Sequence, residues 1–375
     1  MDASDLPMVF FTVVSQMSVG TFLVLGVLQI AGRRKHSAAT VERLVAPVLY
    51  AIGPALVLGL IVSMFHMHDV THSFNVIRHW QSSWLSREII FGCAFALFGF
   101  VFAILEWFES GALALRQTLA VIAALLGIGL LVSESMIYYS LVAIPAWHSW
   151  AVPFQFCATA ILLGAIGVAG ALMVATFVRL RPAKAPADQS EAEAVAAESA
   201  AAATSGSETG VAEATGAEAA AESDAAESGA AAESPVRSGL GAKIKERFAA
   251  INSPTSDEEW QLTAATIRGT AIAGALIAIA ILVSYPIYVG GLSQGNAAAI
   301  AAAHEFSGGA FWSRLILVGV TAILLGFFVF TMAARTTVVK AKALVYLVLA
   351  TFIIAIVGEF LGRWLHYAAM IKAGL

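Results

Sequence analysis

A chain of 375 residues that is 59% hydrophobic and only 12% charged lies far from soluble domains, which average about 25% charged. Its mean hydropathy of +0.83 excludes an ordinary water-soluble globule and places most of the chain in lipid. The net charge of −4 is set by one segment: 11 of the 25 acidic residues fall between residues 185 and 235, where Lys and Arg are absent, and the rest of the chain holds 21 basic residues against 14 acidic ones.

Crossing the hydrocarbon core takes about 20 mostly apolar residues. Eight runs qualify, at residues 8–31, 44–65, 89–107, 118–140, 152–178, 263–288, 311–334 and 344–367. They predict an all-α integral membrane protein with eight transmembrane helices. The first run does not read as a secretory signal, because Asp2 and Asp5 precede it and Arg33, Arg34 and Lys35 follow it, the reverse of a basic n-region. Basic loops face the cytoplasm, and 16 of the 21 Lys and Arg fall in loops on the side away from the termini. Both termini are therefore expected outside, N-out and C-out.

The organisation expected is helices 1–5 in residues 1–181, a linker at 182–250 and helices 6–8 in residues 251–375. Residues 182–235 are built from Ala, Glu, Ser, Gly and Thr. With one sign of charge and no apolar stripe to bury, they read as a disordered, acidic cytoplasmic tether. Asp257, Glu258, Glu259 and Trp260 then read as a surface turn leading back to the membrane, with acids suited to a helix N-terminus. Cys93 and Cys157 lie in apolar runs without a CxxC and read as small buried hydrophobes.

The polar residues gather on one side. Seven of the eight histidines fall at outer helix ends or outer loops, with only His36 opposite. Four of them (His66, His68, His72 and His79) occupy one loop together with Asp69, Arg78, Trp80, Trp84, Arg87 and Glu88. Helices four to seven carry almost no ionisable group at mid-depth, unlike a transporter with its site at the midplane. Glu88 and Glu134 sit near outer helix ends. Glu359, Arg363 and His366 share one helical face by their spacing of i, i+4 and i+7. An unpaired carboxylate in hydrocarbon is costly, so Arg363 is expected to pair with Glu359.

This chemistry suits a lipid-soluble, two-electron, two-proton donor. An imidazole titrating near about 6.5 can take a hydroxyl proton from a quinol. A flat apolar ring with polar ends suits a pocket lined by Trp80, Trp84, Phe74 and Met67. Other readings stay open. His66-x-His68-Asp69-x-x-His72 offers donors for a divalent metal, and an axially ligated haem needs histidines at matching depth on facing helices, which no run places well inside. The reading carried forward assigns neither metal nor haem to this chain. A carrier with a binding site at its outer mouth is the competing class.

Several motifs together resemble a known family. They are Leu6-Pro7-Met8-Val9-Phe10-Phe11-Thr12 at the start, and Ser63-Met64-Phe65-His66, Ser73-Phe74-Asn75 and Leu85-Ser86-Arg87-Glu88-Ile89 around the histidine-rich loop. Tyr138-Tyr139-Ser140 with Pro145-x-Trp147-x-Ser149, then Trp312-x-Arg314 and Gly358-Glu359-Phe360-Leu361-Gly362-Arg363, complete the set. The chain resembles the membrane-anchor subunit of the dimethyl sulfoxide reductase family of molybdoenzymes, with similarity running through all eight helices. That resemblance implies an anchor in the plasma membrane of a prokaryote, serving anaerobic respiration. It implies menaquinol oxidation at the outer face, with electrons passing to a ferredoxin-like iron–sulfur subunit and then to a molybdopterin catalytic subunit. The family's quinol-site histidine falls on His66 and its glutamate on Glu88, with Trp80, Trp84, Arg87, Arg314, Glu359 and Arg363 in support. His68, Asp69 and His72, the tether and Arg87 depart from the family pattern. The anchor of a polysulfide- or tetrathionate-type reductase is the nearer alternative.

Overall fold

The computed structural model describes residues 6–63, 79–180 and 240–374. The chain divides into two units, Met1–Leu180 with Glu246–Leu375, and Arg181–Lys245. Ten helices follow in order among the described residues: α1 (Leu6–Gly32), α2 (Ala38–Ser63), α3 (Trp84–Trp107), α4 (Leu113–Tyr139), α5 (Ala151–Arg179), α6 (Leu240–Asn252), α7 (Asp257–Ser293), α8 (Ala297–Glu305), α9 (Gly309–Arg335) and α10 (Lys342–Ala368). Eight of these, all but α6 and α8, are long and apolar enough to cross a membrane, and each overlaps one of the eight apolar runs. The fold is all-helical among the described residues.

Two boundaries differ from the sequence reading. The expected linker at 182–250 lies outside the described residues as far as 239, and from Leu240 the chain is already helical as α6. The acidic cluster at 257–260 is the first turn of the spanning helix α7 rather than a separate surface turn. Ser256 accepts from the Glu259 backbone N–H at 3.2 Å, and the Glu259 carboxylate accepts from the Ser256 N–H at 3.0 Å. This reciprocal box satisfies two N–H groups that the helix cannot satisfy itself. Ser256→Ala is expected to lower stability by about 1 kcal/mol, read as a drop in the melting temperature of the purified protein.

Burial separates central from peripheral helices. In their most apolar stretches α1 and α5 are 67% and 61% buried, whereas α3 is 17% buried. α1 and α5 run in the same direction and cross at Gly20 and Gly164, where a Cβ on either residue would run into the backbone of the other helix. Small residues permit such an approach, which in lipid supplies packing energy that no hydrophobic effect provides. One apolar cluster, including Phe22, Phe95, Phe102 and Leu130, fills the space among α1–α4. A second, including Phe156, Tyr285, Phe311 and Val345, joins α5, α7, α9 and α10. Helix α5 contributes to both through Val168 and Phe156.

Cys93 and Cys157 are exposed, contrary to the sequence reading. A spanning helix loses nothing by turning apolar groups toward lipid tails, so hydrophobicity alone does not mark an inward face.

The two ends of the bundle differ. At one end Arg43 Nε lies 2.9 Å and Arg179 Nη1 3.4 Å from Glu259, Arg116 pairs with Glu106 at 3.0 Å, and Arg247 pairs with Glu109. This basic end joins α2, α5 and α7 through one carboxylate. The opposite end is aromatic. There Tyr138 of α4, Trp147 of the α4–α5 loop and His366 and Tyr367 of α10 pack together, with Trp147 stacked on His366 at 5.3 Å between ring centres.

Candidate functional site

Two helical turns below the aromatic surface, polar side chains from five helices meet inside the bundle. On α4, Glu134 is 1% exposed. It accepts from Ser15 Oγ and, at 3.0 Å, from Gln16 Nε2, both on α1. Gln16 Oε1 in turn accepts from Arg363 Nη2 of α10 at 2.8 Å. Arg363 lies over the Phe156 ring of α5, 3.7 Å from its centre. One turn along α10, Glu359 accepts from Thr159 Oγ1 of α5 at 2.6 Å and faces Arg314 Nη2 of α9 at 3.6 Å.

Two glycines explain how Arg314 reaches this depth. Its Nη1 donates to the Gly358 carbonyl at 3.2 Å, and its guanidinium fills the space that a Cβ on Gly362 would need. A long cation thus passes between α9 and α10 because Gly362 has no side chain, and the Gly358 carbonyl holds its end. A carboxylate and a guanidinium buried together need further hydrogen bonds to offset desolvation. Here the set is incomplete: Glu359 Oε1, Arg314 Nε, Arg363 Nε and His366 Nε2 have no hydrogen-bond partner among the described residues.

Nearer the surface, Tyr138 and Tyr367 share a hydrogen bond of 2.7 Å, with Thr12 Oγ1 3.4 Å from Tyr367. Glu88, one turn inside α3, interacts electrostatically with Glu134, Tyr138 and Tyr367. The result is a lateral polar belt at one depth, running from α3 through α4, α1 and α10 to α9.

The structure therefore brings together Glu88, Arg314, Glu359 and Arg363, all expected from sequence. It corrects one pairing: Glu359 meets Arg314 from another helix, while Arg363 bonds Gln16. Glu359, Arg363 and His366 do share a buried face. Trp80, Trp84 and Arg87 form a local clamp instead. The Arg87 guanidinium lies 4.1 Å from the Trp84 ring centre and donates to the Trp80 carbonyl at 2.9 Å, and Trp80 is 55% exposed. No hydrogen bond or ion pair joins this clamp to the belt among the described residues. His66, Met67, His68, Asp69, His72 and Phe74 lie outside the described residues, as does the metal reading that rests on them. Ser15, Gln16 and Thr159 were not anticipated, although Ser15-Gln16 is a polar pair in the middle of an apolar run.

Two cavities flank the belt. One of about 280 Å³ lies among α1, α2, α5 and α10, lined by residues such as Met17, Ile52, Val174 and Phe352. Its two hydroxyls, Ser18 and Thr21, donate to carbonyls of their own helix at 2.8 and 2.7 Å, so neither has a proton left to donate to a polar head group. The other, of about 400 Å³, opens at the aromatic end between the α4–α5 loop and α7–α8, lined by Pro145, His148, Trp150, Tyr288 and Asn296 among others.

Residues 1–183 match the family model described as DMSO reductase anchor subunit (DmsC). The match takes in just under half of the chain, and over these residues the protein is similar to that family. The anchor-subunit match takes in α1–α5, and so Gln16, His66, Glu88, Glu134 and Thr159, while Arg314, Glu359 and Arg363 lie beyond it. Over 170 residues the sequence is 25% identical to a chain of the anaerobic dimethyl sulfoxide reductase of Haemophilus influenzae, a match covering 45% of this protein and 59% of that one. It is 27% identical over 158 residues to the Escherichia coli K12 protein of the same description, covering 42% and 54%. The protein thus matches little more than half the length of these anchor-subunit relatives. A third relative, a sulfite dehydrogenase subunit of Allochromatium vinosum, is 29% identical over 115 residues, covering 27% and 35%.

Proposed function

We propose that this protein is the membrane anchor through which a dimethyl sulfoxide reductase-type complex draws electrons from menaquinol, at the aromatic end of the bundle. The observation that carries the proposal is the position of the polar belt: buried Glu134, Glu359, Arg314 and Arg363 from three helices meet beside the Tyr138–Tyr367 pair of the aromatic end. Oxidising a quinol releases two protons with two electrons, so its site needs bases at a membrane face rather than at mid-depth. The aromatic end is taken as the outer face of a prokaryotic plasma membrane, in line with the basic residues concentrated at the other end.

In this reading the quinol enters laterally from the outer leaflet. His66 accepts a hydroxyl proton, Glu88 orients or charge-stabilises the resulting imidazolium, and Arg363, Glu359 and Arg314 form the supporting shell. The Trp80–Trp84–Arg87 clamp shapes the rim. Electrons leave to a ferredoxin-like iron–sulfur subunit docked outside and reach a molybdopterin catalytic subunit, so the redox metals belong to partner proteins. Protons and electrons leave on the same side, and no net charge crosses the membrane. The similarity to a sulfite dehydrogenase subunit supports a second direction through the same site, with electrons entering the quinone pool from an oxidising partner.

The test is quinol-driven turnover of the intact complex. His66→Ala and Glu88→Gln are each expected to lower it about 10²-fold or more, as loss of a general base does. Turnover with an artificial dye donor, which bypasses the anchor, is expected to persist. Wild-type quinol turnover in both variants would overturn the assignment. Purification of the anchor alone, without an iron–sulfur protein, would favour a carrier.

A further inference from the structure

Helices α3 and α4 pack antiparallel in a register set by their glycines. A Cβ on Gly92 would lie 3.6 Å from Leu130 Cδ1, and one on Gly127 would lie 3.3 Å from Phe95 Cε2. One turn toward the aromatic end from the Gly92/Leu130 pair, the same register sets Glu88 opposite Glu134. The two carboxylates interact electrostatically. Glu134 is buried and held on both oxygens by Ser15 and Gln16, with Arg363 behind Gln16. Glu88 is half-buried.

Charge balance adds a second argument. Glu359 has its own cation in Arg314. Among the described residues, Arg363 is then the one guanidinium of the belt left to offset both Glu88 and Glu134, and its hydrogen bonds run to Glu134 through Gln16. An uncompensated buried charge is costly, and two like charges facing each other ionise as a unit rather than separately.

We propose that Glu88 and Glu134 act as one proton-accepting pair, in which Glu134 is a positioning residue that sets the charge of Glu88 when it meets a quinol hydroxyl. This rests on the quinol reading above. In the step, two O–H bonds of the quinol break, two electrons pass to the iron–sulfur clusters of the partner subunit, and two protons are released. One proton lands on the pair through Glu88, the other goes to the second base of the quinol site, and both leave to water at the aromatic end. Among the described residues, the groups facing Glu88 are Glu134 and Tyr138 from α4 and Tyr367 from α10, with Arg363 behind them. Helix α1 offers only the neutral Thr12, Ser15 and Gln16, and α2 carries no charged residue beyond Arg43.

The experiment measures quinol-driven turnover of the intact complex against pH. Glu134→Gln removes a like charge, so Glu88 stays ionised to lower pH. The acid limb of the kcat profile is expected to move down by about one pH unit, while KM for the quinol analogue changes less than twofold. Glu134→Asp is expected to restore the wild-type limb. The double variant Glu88→Gln/Glu134→Gln should fall no further than Glu88→Gln alone, as for groups that work as one unit. If Glu134→Gln fails to assemble, Ser15→Ala weakens the hold on the Glu134 charge and should shift the limb in the same direction by a smaller amount. An unmoved acid limb in the assembled variant, or additive losses in the double variant, overturns the pairing. Loss of turnover in Glu88→Gln together with a wild-type profile in Glu134→Gln rejects the pairing alone, whereas normal turnover in both His66→Ala and Glu88→Gln rejects the quinol reading itself.

Discussion

Gly164→Val is expected to prevent assembly of the bundle. At the crossing of the two most buried helices, a side chain at residue 164 meets the backbone of Gly20 and Thr21, and neither can yield by changing rotamer. Overpacking a core typically costs about 1–3 kcal/mol, and a clash with backbone at a helix crossing belongs at or above the top of that range. Because α5 contributes to both apolar clusters, separation of α1 from α5 propagates to each. The measurement is the yield of monodisperse protein in detergent and its melting temperature. Gly26→Ala is the control: it lies on the same helix α1 with nothing within 4 Å, and it should be neutral or stabilising by roughly 0.5–1 kcal/mol, the helix preference for alanine over glycine. Equal loss in both variants would mean that glycine content, rather than the crossing, is what matters.

The second large effect is expected at Arg314. Arg314→Leu leaves Glu359, 2% exposed, with Thr159 as its remaining hydrogen-bond partner. Breaking a buried pair from one side costs about 3–5 kcal/mol because an uncompensated charge is left behind. Arg314→Leu/Glu359→Leu removes both charges and should recover most of the loss, and Arg314→Leu/Glu359→Gln should recover part of it. Thermal melts of the wild type, Arg314→Leu, Glu359→Leu and Arg314→Leu/Glu359→Leu provide the cycle. If the double variant is less stable than Arg314→Leu, the pair stabilises the bundle by attraction and not merely by mutual compensation. Gly362→Ala should mimic part of the Arg314 defect, since its methyl group takes the space of the guanidinium.

Much of this was legible in the amino-acid order. The eight spans follow from run length, because the backbone must satisfy itself in lipid and helix is the way a single segment does so. The shared face of Glu359, Arg363 and His366 also follows, since it depends on one helix alone. The partner of Glu359 did not follow, because Arg314 comes from a different helix and reaches it through a gap between two helices. Gly358 and Gly362, four residues apart, were the available signal: such spacing marks a close approach in membrane helices, and Trp312-x-Arg314 supplied the cation. Ser15 and Gln16 are polar residues deep in the first run, a signal the sequence reading passed over, and a single helix does not say which neighbour it will face. The reading of Cys93 and Cys157 as buried failed for a related reason. In α3 the apolar residues outside face lipid as readily as those inside face protein, so hydropathy finds the span but not its inner side.

The polypeptide joins α5 to α6 through residues 180–240, yet both Met1–Leu180 and Glu246–Leu375 belong to one unit. Thr159 reaches Glu359, Gln16 reaches Arg363, and Arg43 and Arg179 both reach Glu259 across that join. Those contacts fasten the two halves side by side without involving the chain that connects them. Expressed as two separate polypeptides, residues 1–180 and 240–375 are thus expected to find each other through these same contacts.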